Sequence, residues 1–296
     1  MFEYRLRELG NRIDFYPYAE ECGGDNTYFI ITNKEREIYF KNTNNAIEFI
    51  KFKFQGSIKK RLAYFLIKLG ILPLFLNSIR LHPAFGDVIF IGGQIKSFDL
   101  NDKKVMSFPL YDYEDEFFIR NKKFQMKNKE YSPRILKGCV GGYIHKGKEY
   151  VYVKEEILEK YEGKDYLNIF KKLYSFYEKT GIKKKNGLLY VTSHGDFSKE
   201  NLLKRGNEVI FTDWQSREDL ITKDLHNFFI RDSKENPMEN KDFLEVLKIY
   251  PKEVQKNIKK YIQLNEKDWQ EELDSYNMLM DEMNRSKDEF NTDIQR

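Results

Sequence analysis

The sequence predicts an α+β protein in two lobes, a small one built on an antiparallel sheet and a larger, mainly helical one. Three observations predict it. Between residues 86 and 157 apolar residues recur with period two and are broken by glycine and Asn-Asp turns. Beyond residue 158 the apolar stripes recur at helical spacing. At 296 residues the chain is long enough for about two domains, or one bilobal domain, with a substantial core. The expected boundaries are an N-terminal extension over 1–85 packed on the small lobe, the small lobe over 86–157, and the large lobe over 158–296.

Composition narrows the function classes. Charged residues make up 33% and hydrophobic ones 41%, the balance of an ordinary soluble globular chain. The many Phe and Tyr accompany scarce Ala and abundant Lys, Asn and Ile, which reads as AT-rich coding bias rather than as stacking platforms. The net charge of +4 comes from 51 basic and 47 acidic residues, so the signs nearly cancel. No clustered basic face is read, and nucleic acid is not an expected partner. Cys22 and Cys139 lack metal-ligand spacing. With no signal peptide read at Met1-Phe2-Glu3, they are expected to be free thiols in a reducing cytoplasm.

In the extension, Tyr28–Ile31 and Glu37–Phe40 read as strands around the turn-prone Thr32-Asn33-Lys34. Gly23-Gly24-Asp25-Asn26 lacks the lysine and helix of a P-loop and reads as a turn. Asn42 to Phe54 turns helical. Ile58 to Leu81 is the most apolar window, but Lys68 and Pro73 interrupt it, so a membrane span is not expected. Two readings stay open for it. One is a core helix ending near Gly70–Pro73; the other is a basic amphipathic helix making a weak peripheral contact with a membrane through 58–81.

Val88–Ile91, Ile95–Phe98 and Val105–Phe108 then read as three successive strands, with turns at Gly92-Gly93 and Asn101-Asp102. Asp112 to Lys129 has helical spacing, with Phe117, Arg120 or Asn121, and Phe124 on one face. Its acidic start, Glu114-Asp115-Glu116, suits the positive end of a helix dipole. Tyr131–Leu136 and Glu149–Ile157 read as two more strands. Tyr166, Phe170, Leu173, Phe176 and Tyr177 form a helical stripe that stops before Gly181. Lys183-Lys184-Lys185 reads as a solvated loop. Phe243 to Glu282 predicts two or three helices, with Pro251 at the start of one. The acidic residues between Glu266 and Glu282 read as a solvated face, or as lining for a cationic acceptor. Ser286–Arg296 reads as a frayed tail.

The chemistry concentrates in Leu189 to Gln215. An apolar strand delivers His194-Gly195-Asp196, Asn201 follows five places after the aspartate, and a short hairpin through Gly206-Asn207 delivers Asp213-Trp214. Two carboxylates and a carboxamide thus gather at one end of the strands. Mg²⁺ takes such oxygen ligands, and phosphoryl transfer also needs a carboxylate to orient the attacking hydroxyl.

HGDFSKEN followed by TDW resembles the catalytic and metal-binding loops of the aminoglycoside phosphotransferase and choline kinase-like family, relatives of the protein kinases. The resemblance implies a bilobal protein kinase-like fold. It implies Asp196 as catalytic base, His194 as a support of the catalytic loop, and Asn201 and Asp213 as magnesium ligands. Asp224-Leu225 resembles the next helix of the family, whose aspartate braces the catalytic loop from below. Gly92 and Gly93 stand where a loop would cover the phosphates, and Glu116 where an acid would pair with a phosphate-binding lysine. The third strand carries Phe108-Pro109 where that lysine belongs, leaving Lys96 or Lys104 to substitute. Glu155-Glu156 resembles the hinge that would meet the adenine edge. The implied activity is ATP- and Mg²⁺-dependent transfer of a phosphoryl group to a hydroxyl of a small molecule, such as a sugar, amino sugar or aminoalcohol. The missing strand lysine motivates the alternative of a nucleotide-binding pseudokinase with a regulatory role. The 58–81 segment motivates a membrane-surface scaffold in polysaccharide or lipid biosynthesis.

Overall fold

The period-two half of the chain resolves into one antiparallel sheet. In the computed structural model, the described residues are 27–271 and 274, apart from 34–35, 55–56, 72–75, 77, 81–85, 92–93, 110–114, 146–147, 232 and 234–235. The chain is mixed α+β and divides into two compact units, Met1–Glu159 and Lys160–Arg296. Gly23–Asn26, Gly92, Gly93 and the 286–296 tail lie outside the described residues.

The first unit runs β1 (Thr27–Asn33), β2 (Arg36–Phe40), α1 (Asn44–Phe49), α2 (Ile58–Lys68), β3 (Ser78–Arg80), β4 (Val88–Ile91), β5 (Gln94–Asp99), β6 (Lys104–Pro109), α3 (Asp115–Lys127), β7 (Ile135–His145) and β8 (Lys148–Glu156). The sheet order is β3-β1-β2-β4-β5-β6-β8-β7. The strands of the extension therefore belong to the same sheet as those of the small lobe: β2 pairs with β4, with Tyr39 opposite Ile89. The extension lengthens that sheet edge to edge. Thr43 caps α1 by accepting from Ala46 N at 3.3 Å, and Ser57 caps α2 by accepting from Lys60 N at 3.3 Å. Ile47 of α1 and Ile67 of α2 join Ile38, Phe40 and Val88 in one apolar cluster. Fully burying such side chains stabilises by ~1.5–3 kcal/mol each.

Two elements depart from the sequence expectation. The strand expected over Tyr131–Leu136 begins at Ile135 and continues to His145, with a bulge between Ile135 and Val140. Gly138, Gly141 and Gly142 hide it from pattern reading, because glycine carries no side chain to alternate. Helix α3 is also rotated about its axis. Its buried face is Phe118, Asn121, Lys122 and Gln125, whereas Phe117 is 46% exposed. An apolar-stripe rule cannot find an inward face that is mostly polar.

The second unit runs β9 (Glu159–Lys160, at the boundary), α4 (Tyr166–Thr180), β10 (Lys183–Lys185), β11 (Leu188–Ser193), β12 (Leu202–Arg205), β13 (Glu208–Phe211), β14 (Arg217–Leu220), α5 (Lys223–Phe229), α6 (Lys241–Leu247) and α7 (Lys252–Lys256), then a helix α8 over 258–271. The lysine run is not a loop. It forms the exposed strand β10 beside β11, and Lys183 and Lys185 both pair with Glu218. Helix α4 is capped by Asp165 and buries Ile169, Phe170, Leu173, Phe176 and Tyr177, then ends at Gly181 with φ 97°. Pro251 stands at the N-cap of α7. Phe170, Phe197, Phe211 and Phe228 pack edge to face or tilted, with centroids 5.2–5.5 Å apart. That aromatic core lies under the loop that follows β11. Among the described residues no helix is long and apolar enough to cross a membrane.

Candidate functional site

Strand β11 buries alternate side chains as far as Ser193, so its last residues are anchored where the loop begins. Three things then fix the loop over 194–201. Gly195 has φ 88°, and a Cβ there would lie 2.8 Å from the Gln215 side chain, so only glycine fits. Asp224, fully buried on α5, accepts from His194 N–H at 2.7 Å, from Gly195 N–H at 3.0 Å and from the Tyr177 hydroxyl at 2.7 Å. Asn227, one turn along the same helix, donates to Gly195 O at 2.8 Å. Burial pushes the Asp224 carboxyl up, and the same burial, with Asp224 beside it, pushes the Tyr177 hydroxyl up strongly.

His194 is buried between Phe197 and Trp214, with ring centroids at 5.4 and 4.6 Å. Its Nε2 lies 2.7 Å from Thr212 O. A carbonyl only accepts, so Nε2 carries the proton. Burial lowers the imidazole pKa and favours the neutral ring. A side chain so placed packs under the loop and is closed to solvent.

Asp196 is half-buried at the loop's centre. The Asn201 carboxamide donates from Nδ2 to Asp196 O at 2.7 Å and to Asp196 Oδ2 at 3.3 Å. Since the nitrogen end of a planar amide is held this way, its carbonyl oxygen points to the opposite side. The strand that carries Asp213 is stitched to the same loop. Thr212 N–H donates to Asn201 O at 3.0 Å, and Gln215 N–H donates to His194 O at 2.9 Å. Asp213, between these two bonds, has φ 61°, a left-handed conformation that is uncommon outside glycine and recurs at functional sites. The loop and the hairpin end thus bring Asp196, Asn201 and Asp213 to one place.

Arg231, just past α5, was not foreseen from sequence. Its Nη1 donates to Asp196 Oδ1 at 2.9 Å, and its guanidinium lies 5.2 Å over the Trp269 ring. No local motif announces it, because its partner lies 35 positions away. On α8, Glu266, Asp268 and Glu271 are exposed, as a solvated face would be.

Hard oxygen donors such as Asp196, Asn201 and Asp213 fit Mg²⁺ better than a softer transition ion. Among the described residues no group of three or more His, Cys, Asp and Glu side chains forms a metal cage. Mg²⁺ needs none, since it keeps waters and binds one or two carboxylates together with phosphates.

The first unit holds a separate buried polar cluster. Lys122 on α3 donates to Glu155 on β8 at 2.9 and 3.0 Å, and both residues are at most 5% exposed. Ser107 on β6 donates to Glu155 Oε2 at 3.3 Å, and Lys122 also reaches Gln125 at 3.4 Å. Of the residues expected to hold nucleotide, Glu155 belongs to this cluster and Lys96 stands opposite Ser107 across the β5–β6 pair. Lys104 bonds Asp102 at 2.8 Å beside a turn, Lys96 sits half-buried in mid-strand, and Glu116 is exposed on α3. The N–H groups of Glu156 and Ile157 donate to Arg134 O and Lys103 O. The helix–strand ion pair here runs from Lys122 to Glu155, with the lysine on the helix.

No family model, no curated protein and no solved structure matches the chain.

Proposed function

We propose that the protein is an ATP- and Mg²⁺-dependent phosphotransferase with a protein kinase-like fold, acting on a hydroxyl of a small molecule such as a sugar, amino sugar or aminoalcohol. One observation carries the reading. The Asn201 amide is pinned to Asp196 while Asp224 holds the backbone of His194 and Gly195, which preorganises a base and a metal ligand on one loop. The first unit supports it by element order: three strands, a helix and two further strands of one sheet follow each other as the resemblance implies.

In this reading Asp196 orients the acceptor hydroxyl and takes its proton as the phosphoryl group moves. Asn201 and Asp213 hold Mg²⁺, which would neutralise charge on the phosphates. Asp224 and His194 keep the loop rigid. Turnover of Mg·ATP against pooled sugars, aminoalcohols and aminoglycosides is the direct test. Asp196→Asn should lower the rate ~10²–10⁴-fold with the melting curve unchanged. Asp213→Ala should weaken nucleotide binding only when Mg²⁺ is present. Activity of Asp196→Asn within about threefold of the parent would remove the base from the scheme.

A second reading, a nucleotide-binding pseudokinase with a regulatory role, is favoured by one specific contact. The Arg231 guanidinium occupies an oxygen of the carboxylate that must accept the proton. An Arg231→Gln variant that turns over ATP when the parent does not would support that reading.

A further inference from the structure

Helix α2 has two apolar faces. The inner one carries Ile67, which is fully buried in the sheet cluster, and Tyr64, which packs on Phe54 at 5.8 Å. The outer one carries Ile58, Leu62, Phe65 and Leu69, exposed by 84, 57, 56 and 55%. At about 100° per residue these four fall within about 60° of one another. They form a single stripe nearly opposite Ile67, and Ile71 beyond the helix adds a fifth exposed apolar side chain.

The charges around the stripe are of one sign. Residues 57–71 contain Lys59, Lys60, Arg61 and Lys68 and no acid. Lys59 and Arg61 flank the stripe on either shoulder. Lys68 is committed to Glu48 of α1 at 2.8 Å, a pair that fastens the helix to the unit and holds the Glu48 carboxyl down to about 2. Eleven residues rise only about 16 Å, too short to cross a bilayer. A second copy of the helix would bring like charges to the same seam, which disfavours self-association.

We infer that α2 is an interfacial helix that lays Ile58, Leu62, Phe65 and Leu69 into the surface of an anionic lipid bilayer, with Lys59 and Arg61 against the headgroups. Charge complementarity selects this occupant: an apolar stripe supplies insertion, and an acid-free basic rim supplies attraction to negative lipid. The inference is independent of any phosphotransferase activity.

Vesicle co-sedimentation of the purified full chain tests it. Binding should be strong on phosphatidylcholine vesicles containing about a third phosphatidylglycerol and at least tenfold weaker on phosphatidylcholine alone. Leu62→Ser/Phe65→Ser should reduce binding at least tenfold while the melting curve stays within a few degrees of the parent. Lys59→Gln/Arg61→Gln should reduce it roughly fivefold per cation, and high salt should weaken binding of the parent. Equal binding to both vesicle types, no binding to either, or full binding by the serine variant would each overturn the proposal. So would a large drop in that variant's melting temperature, which would mean that the stripe is covered within the chain. A parent that is dimeric by light scattering and becomes monomeric on Leu62→Ser/Phe65→Ser would assign the stripe to a second copy instead.

Discussion

Among the described residues each unit buries one carboxylate, and the two are satisfied in opposite ways. Asp224 accepts two backbone N–H groups and a tyrosine hydroxyl. Glu155 accepts a lysine ammonium through both oxygens, with a serine hydroxyl beside it. The first arrangement fixes a loop, because its donors are the backbone of His194 and Gly195. The second fixes a helix against a strand, because its donors are side chains. A backbone donor cannot be mutated away, whereas an ion pair can be removed as a pair. The two sites should therefore respond differently to substitution.

Asp224→Ala should be the most damaging change. It leaves two buried N–H groups and a buried hydroxyl without their acceptor, at about 1–3 kcal/mol each. The sum is several kcal/mol in denaturant unfolding, together with loss of any activity that depends on the loop. No apolar residue at 224 should recover it. Tyr177→Phe removes one donor and should cost only about 1 kcal/mol. A stable Asp224→Leu protein would show that the loop is held by its aromatic bed instead.

Lys122→Met comes next. It strands the Glu155 carboxylate in the interior, at a cost of about 3–5 kcal/mol. Adding Glu155→Leu should return most of that loss, because two apolar side chains then replace two desolvated charges. A double-mutant cycle measured by urea unfolding reads the coupling directly. If the double variant is as unstable as Lys122→Met, the pair is not the unit that matters.

The same contrast explains what could be read from the chain. The Asp196 loop was legible because its residues are close in sequence: His194, Gly195, Asp196, Asn201 and Asp213 all lie within one strand–loop–hairpin run, and hairpin pairing is set locally. Most strands of the first unit were legible for the same reason, since β4, β5 and β6 are apolar-rich runs that follow one another within a few residues. The Lys122–Glu155 pair was not, since 33 positions separate its members and each alone resembles an ordinary surface charge. Arg231 was missed on the same ground. Strand β7 starts later than the pattern predicts because its glycines erase the alternation. The lysine run of β10 predicts a loop because its charge outweighs its pairing with an apolar neighbour, and Glu218 pairs with two of its lysines.

A pH-dependent effect lies next to the Asp224 hub and sharpens its meaning. His226 is two residues along α5 and is 2% exposed. Burial, then the neighbouring Lys223, lowers its pKa to about 4; a hydrogen bond with Asn227 opposes this, and Arg231 adds a smaller lowering. In the unfolded chain a histidine titrates near about 6.5. The unfolded state therefore binds the extra proton first as pH falls. Stability is fully present above about 6.5 and is lost as pH drops from there towards 4, with a slope of at most about 1.4 kcal/mol per pH unit. The buried His194, also shifted down, contributes in the same sense. His226→Gln removes one titrating group without touching the loop, so its stability should vary less between pH 6.5 and 4 than that of the parent. Denaturant midpoints collected at half-unit pH steps measure this. An unchanged slope in His226→Gln would transfer the acid sensitivity to His194, and with it to the loop that Asp224 holds.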